Sequence, residues 1–387
     1  MQANEYSAYL KCSRITGEVK ITVLEDALLI AALFDGIAIP YPEITGFIIC
    51  GYAVRIQTDN GIYEVSRFEH GCEPFYQTFY DTYSMKVRKA LFVRGAPILK
   101  TNGEYRYEED DRTAAGRAVI EIYEDCVLLL PPDDGARRIP LVFVTGMHKD
   151  GYELTLSLDS GERYSFIRLG HDTQPFESIV AERLHFLRTH ALEAVCKLDG
   201  SLTSTQASAI ARMLPEGVAV PFGKLAAVAA SFAEALEMRI SQSRVASEYR
   251  FLKEIGDPTE ICVGMKSGLA GEEAEDILWL ITPGKRPGIA AVELALSEET
   301  AAATFIYRFT ESWDIFCRTL NRAMEAVNFK REVIRLKEDE LKRPEYTDYM
   351  MAVKRTAALQ YLRSRFAGRV IHTSEESWQK EMAAYML

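Results

Sequence analysis

The stretch "DNGIYEVSRFEHGCEPF", Asp59 to Phe75, returns one hundred residues later as "DSGERYSFIRLGHDTQPF", Asp159 to Phe176. Each copy writes a turn, a short strand, an arginine, a histidine and a proline–phenylalanine pair. In the first copy Ile62, Glu64 and Ser66 alternate with Tyr63 and Val65, the period of a strand, and Asn60-Gly61 before them predicts a hairpin turn. After the histidine the period lengthens to about four. Phe75, Phe79, Tyr83, Val87 and Leu91 then share one helix face, as do Phe176, Val180, Leu184 and Leu187. Pro74 and Pro175 suit the first turn of such a helix, where a missing N–H costs nothing.

The echo extends upstream. "EDALLIAALFDGIAIPYPEITGF" (Glu25 to Phe47) aligns with "EDCVLLLPPDDGARRIPLVFVTGM" (Glu124 to Met147). Asp35-Gly36 and Asp134-Gly135 differ by 99 positions, Thr45-Gly46 and Thr145-Gly146 by 100, and Arg67/Arg168 and His70/His171 by 101. The one-residue slips fall beside Gly-containing turns, where insertions are cheapest. The pattern is a tandem duplication of a run of antiparallel strands closed by one amphipathic helix.

That order resembles the pleckstrin-homology superfold, especially bacterial PH-like and GRAM-like domains, and "IPYPEITGF" and "IPLVFVTGM" look like the Ile-Pro strand entry of that group. The resemblance covers about half the chain. It implies tandem PH-like units over 1–96 and 97–198; the alanine-rich, helix-favouring runs that follow predict a helical insertion or linker over 199–255, then a third degenerate PH-like or α+β unit over 256–343 and a helical tail over 344–387, an α+β fold throughout. Lipid-binding members of the family hold inositol phosphates with basic residues near the first hairpin loops. Here those turns carry Glu25-Asp26, Asp35, Glu124-Asp125 and Asp133-Asp134, and carboxylates repel a polyphosphate, so phosphoinositide binding is not expected.

Composition narrows the function. Net charge is −11, and residues 101–196 carry 18 acidic against 10 basic side chains, which disfavours nucleic acid and favours a basic protein partner. The seven cysteines are scattered with no CxxC and no His/Cys cluster, so neither zinc nor another metal or cofactor is expected. No apolar run reaches the ~20 residues of a membrane span and the N-terminus lacks a signal-peptide core, so a cytoplasmic protein is expected. Phosphate-cradling and nucleophile-elbow motifs are missing, which favours a non-enzymatic protein.

Arg67, Arg168 and Arg308 recur in one slot, and His70 and His171 at one strand-to-helix junction. A slot shared between copies points to a requirement of the fold more than to catalysis. "TPGKRPG" (Thr282 to Gly288) places Lys285 and Arg286 on a hairpin tip able to bind an anion. The expected function is a binding or scaffold protein with a protein partner. The alternatives are a peripheral membrane or anionic-ligand module working through Lys285 and Arg286, and an enzyme whose site carries no recognisable motif. The Met/Tyr/Leu stripe of the C-terminal helices also offers a surface for self-association.

Overall fold

The computed structural model describes residues 4–110, 112–266, 277–295 and 303–387. The chain folds into two compact units, Met1–Val180 with Ala326–Gln360, and Ala181–Glu325 with Tyr361–Leu387.

In the first unit, β1 (Asn4–Lys11), β2 (Thr16–Val23), β3 (Ala27–Ala31), β4 (Gly36–Pro40), β5 (Ile44–Cys50), β6 (Ala53–Thr58) and β7 (Gly61–Ser66) lead into helix α1 (Cys72–Ala90). The second module repeats the series: β8 (Leu99–Glu109), β9 (Arg112–Ile122), β10 (Cys126–Leu130), β11 (Arg137–Pro140), β12 (Val144–Asp150), β13 (Glu153–Leu158), β14 (Arg163–Ile167) and then α2 (Thr173–Leu198). Both sheets have the same order, β4-β3-β2-β1-β7-β6-β5 and β11-β10-β9-β8-β14-β13-β12. The duplication read from glycines and prolines is therefore a duplication of topology, and the fold is α+β with tandem PH-like modules.

Local chemistry explains the details. Strand β6 buries every second residue, Val54, Ile56 and Thr58. Thr58 pairs with Gly61, so Asp59 and Asn60 make the turn, and the positive φ of 140° falls on Gly61 rather than on Asn60. In the second copy the Leu158 N–H donates to the Glu162 carbonyl at 2.9 Å, with Gly161 at φ 94°. The loop there is one residue longer, which is the slip seen in the repeat. The stripe on α1 buries Phe75, Phe79, Tyr83 and Val87. Phe79 lies 4.4 Å from Phe47 of β5, ring centre to ring centre, and Phe75 stacks on Phe68 at 5.0 Å. Buried aromatic rings cover large apolar areas, and this stripe packs helix against sheet.

The second unit contains α3 (Ser204–Met213), α4 (Phe222–Val228), α5 (Ala230–Ser241) and α6 (Ala246–Ile255). Thr203 starts α3 through a capping box with Gln206. The sheet is β15 (Val220–Pro221), β16 (Cys262–Lys266), β17 (Ile277–Pro283), β18 (Ile289–Ala295), β19 (Ala303–Arg308) and β20 (Phe366–Ile371), antiparallel and in sequential order. This order is not that of the first two sheets, so the chain beyond 256 builds an α+β topology of its own. The strand-to-helix joint at Arg308 does exist: β19 ends there and α7 (Trp313–Ala326) buries Phe316, Leu320 and Met324.

After α7 come α8 (Glu332–Arg335), α9 (Glu338–Leu341), α10 (Thr347–Arg355), α11 (Ala357–Arg365) and, beyond β20, α12 (Glu375–Met386). The tail, expected to be helical, also contributes β20, whose Val370 pairs with Thr304. The segment 326–360 returns to the first unit. There Arg355 donates to the Tyr83 hydroxyl at 3.0 Å and to the Ile44 carbonyl, and Lys86 is paired with Asp26 and Asp348.

Candidate binding site at the junction of the two modules

Helix α1 is shared. One face closes its own sheet, and the adjoining face meets the second module. The Tyr80 hydroxyl donates to the Leu130 carbonyl at 2.6 Å and accepts from the Val119 N–H at 3.2 Å. Arg88 grips Glu121 with two bonds of 2.7 and 2.6 Å, and the Tyr123 hydroxyl adds a third at 2.8 Å. Glu121 is fully buried, so this pair is the electrostatic anchor of the junction. At the sheet edge the Phe47 N–H donates to the Pro132 carbonyl at 2.8 Å and the Asp134 N–H to the Thr45 carbonyl at 3.1 Å. Gly46 opposite Asp133 completes a short strand-like bridge.

The junction leaves a groove of about 680 Å³. Its helical wall is Tyr76, Gln77, Tyr80 and Asp81, positions that share one face of α1, with the Tyr76 and Tyr80 rings stacked at 6.0 Å and 6°. The opposite wall is Lys100, Asn102, Gly103 and Glu104 of β8 with Arg117 of β9, and Arg168 stands at the rim. Gly103 is there because a Cβ would meet the Leu169 side chain at 2.7 Å and the Ile167 carbonyl at 3.1 Å. Arg168 bonds Glu104 at 2.6 Å, and Arg117 lies 3.6 Å from the same carboxylate. Burial pushes both tyrosine hydroxyls upward from their ordinary pKa, and that of Tyr80 is engaged by the Leu130 carbonyl and the Val119 N–H. The lining therefore offers a flat aromatic ladder, hydroxyl and amide hydrogen-bonding groups, and charges of both signs.

The repeated residues fall into place differently from one another. Arg67 and Arg168 both adopt the left-handed conformation, at φ 53° and 57°. The slot is the residue that turns the chain from the last strand toward the helix. Arg67 covers the Tyr9 ring at 4.6 Å, so the conformation recurs while the partner does not. Arg308 is an ordinary strand residue opposite Ile289. His70 is exposed, and His171 is 94% exposed with only Asp172 beside it at 3.2 Å. The backbone at both junctions is bonded by main chain, Gly71 to Phe68 and Asp172 to Leu169.

Lys285 and Arg286 do lie on a hairpin tip. Lys285 borders a cleft of about 580 Å³ with Asp257, Glu260, Phe309 and Trp313, and its ammonium bonds the Glu254 carbonyl at 3.3 Å. Two carboxylates in the same wall offset its charge toward an anion.

One cluster escaped the sequence reading. His372, just past β20, lies between Glu248 of α6 (3.2 Å) and Glu293 of β18 (3.1 Å), with Thr304 at 3.0 Å and Trp378 bonded to Thr304 at 2.8 Å. Burial alone would lower the histidine pKa; the bonds to Glu248 and Glu293 outweigh it and raise the value to about 9. The imidazolium locks the C-terminal strand and α12 to the second unit. Its three bonding partners come from α6, β18 and β19, and nothing in the spacing of the chain announces them.

These features define the class: an α+β protein with tandem PH-like modules and a helix-walled groove at their junction. Among the described residues no helix is long and apolar enough to cross a membrane, and no three His, Cys, Asp or Glu side chains cluster to hold a metal ion. No family model matches the chain, and no curated protein matches it. Among solved structures, it is similar to one titled "Structure of the Spt16D Pob3N heterodimer", at 15% identity, over 41% of this chain and 84% of that one, with a TM-score of 0.17.

Proposed function

We propose that the protein is a non-enzymatic binding scaffold whose tandem PH-like modules hold a segment of a protein partner. The junction groove carries this reading: α1 is fixed on both sides, so its tyrosine ladder and the β8 wall are held ready for a ligand at little ordering cost. The acidic excess of the second module favours a basic segment. A photo-crosslinker placed at Gln77 of the full chain in its native host tests it. Adducts to a defined protein from Gln77, lost in a Tyr76→Ala, Asp81→Lys background and not formed from a crosslinker at Met238, are the expected result. Adducts formed equally from both positions, or none from Gln77, overturn it.

A second reading, an anionic ligand in the Lys285 cleft, has one observation in its favour: the buried Trp313 indole N–H has no hydrogen-bond partner among the described residues. It requires that titration with inorganic phosphate or a short polyphosphate shift tryptophan fluorescence in the wild type and not in Trp313→Phe. No saturable shift removes it.

A further inference from the structure

We propose that a second copy of this chain docks on the free edge of β12 through the tip between β3 and β4, joining copies head to tail. The observation is an asymmetry in the repeat. In the first module, edge strand β5 has a bulge between Ile44 and Gly46, and the backbone there is taken up by the β10–β11 connection of the second module. In the second module β12 has the same bulge, between Val144 and Gly146. Its Thr145-Gly146-Met147 matches Thr45-Gly46-Phe47. Yet the outward Met147 N–H and Thr145 carbonyl have no backbone partner among the described residues, and nothing lies within 4 Å of where a Gly146 Cβ would stand, against 3.6 Å from Gly46 to Asp133.

The matching donor is free as well. The repeat equivalent of Pro132-Asp133 is Leu33-Phe34, and these two apolar side chains are 86% and 94% exposed. Adjacent apolar residues that exposed on a hairpin tip, and an unpaired, bulged edge strand, are both features that proteins cover. Each chain thus fills one donor–acceptor pair internally and leaves one donor and one acceptor unfilled. Because tip and edge are different surfaces, the contact is heterologous and builds a ring or a filament, not a two-fold dimer.

Sedimentation of the full chain over a range of concentrations tests this with two variants. Gly146→Ile fits the open space in its own chain but blocks the approach of a neighbour; Leu33→Asp with Phe34→Asp removes the tip. The expected result is a wild-type mass that climbs past the dimer with concentration, and two variants that remain monomeric with unchanged melting temperatures. Mixing the variants then yields a species that stops at the dimer, since one keeps its edge and the other its tip. If Gly146→Ile melts early, Met147→Pro replaces it, removing the outward donor from an edge strand that tolerates proline. A wild type that stays monomeric, variants that still associate, or a mixture that does not dimerise overturns the proposal.

Discussion

Phe75 and Phe176 occupy equivalent positions and are both fully shielded from water, whereas His70 and His171, five residues before each, stand in solvent. The two pairs make opposite predictions. Phe75→Ala or Phe176→Ala removes a buried aromatic and costs ~3–5 kcal/mol. His70→Gln and His171→Gln change stability by no more than ~0.5 kcal/mol, as at other exposed sites. Thermal melts of the four variants check this, and a histidine variant that melts as early as the phenylalanine ones contradicts it. The left-handed slot gives a finer test. Arg67→Val places a β-branched side chain at φ 53° and should cost ~1–2 kcal/mol, while Arg67→Gly should leave the protein at least as stable as Arg67→Val.

At the scale of elements, two networks each tie separate segments together. Arg88→Ala leaves the buried Glu121 with only the Tyr123 hydroxyl, and should destabilise by roughly 3 kcal/mol or more. Replacing both, Arg88→Met with Glu121→Leu, should recover most of that loss in urea denaturation; a double variant as weak as the single one argues against a charge effect. The His372 cluster gives a pH dependence. Its folded pKa, about 9, lies above the ordinary 6.5, so its stabilising contribution is full below pH 6.5 and fades as pH rises through 9. The shift corresponds to roughly 3 kcal/mol at most. Glu248, held below the usual carboxylate range by His372 against the opposing effect of its own burial, adds stability that is lost on acidification. The melting temperature of the wild type should therefore fall between pH 7 and pH 9.5, and the fall should shrink in His372→Gln. An equal fall in both assigns the effect elsewhere.

For the whole molecule, charge decides which surfaces it can meet. The turns corresponding to a headgroup site are acidic, and several cations near them are already engaged: Lys89 with Glu25, Lys86 with Asp26, Arg138 with Asp125, and Arg137 over the Tyr107 ring at 3.9 Å. The full chain should show no saturable co-sedimentation with phosphoinositide liposomes at physiological salt, where residual long-range attraction is screened. Binding that disappears on replacing Arg137 and Arg138 with alanine would reverse this.

The sequence by itself determined the duplicated module. Gly61 and Gly161, Pro74 and Pro175, Phe75 and Phe176 impose local geometry wherever they occur, so their recurrence at fixed spacing specifies two strand-rich modules with closing helices before any contact is known. It also marked the arginine slot, though not its meaning: a left-handed φ is a property of the backbone that the arginine side chain does not announce. What only the tertiary structure decided depends on pairings between residues far apart. Strand β20 exists because β19 offers it a ladder some sixty residues away, and its short run with Gly368 has no local hairpin partner to reveal it. The groove needs α1 from one module and β8 from the other. The Glu248–His372–Glu293 cluster draws on three segments, and its raised pKa comes from two carboxylates that no spacing rule would bring together. Local steric rules act over a few residues and survive in the sequence as pattern; burial and charge pairing act through space, and only the folded chain sets those distances.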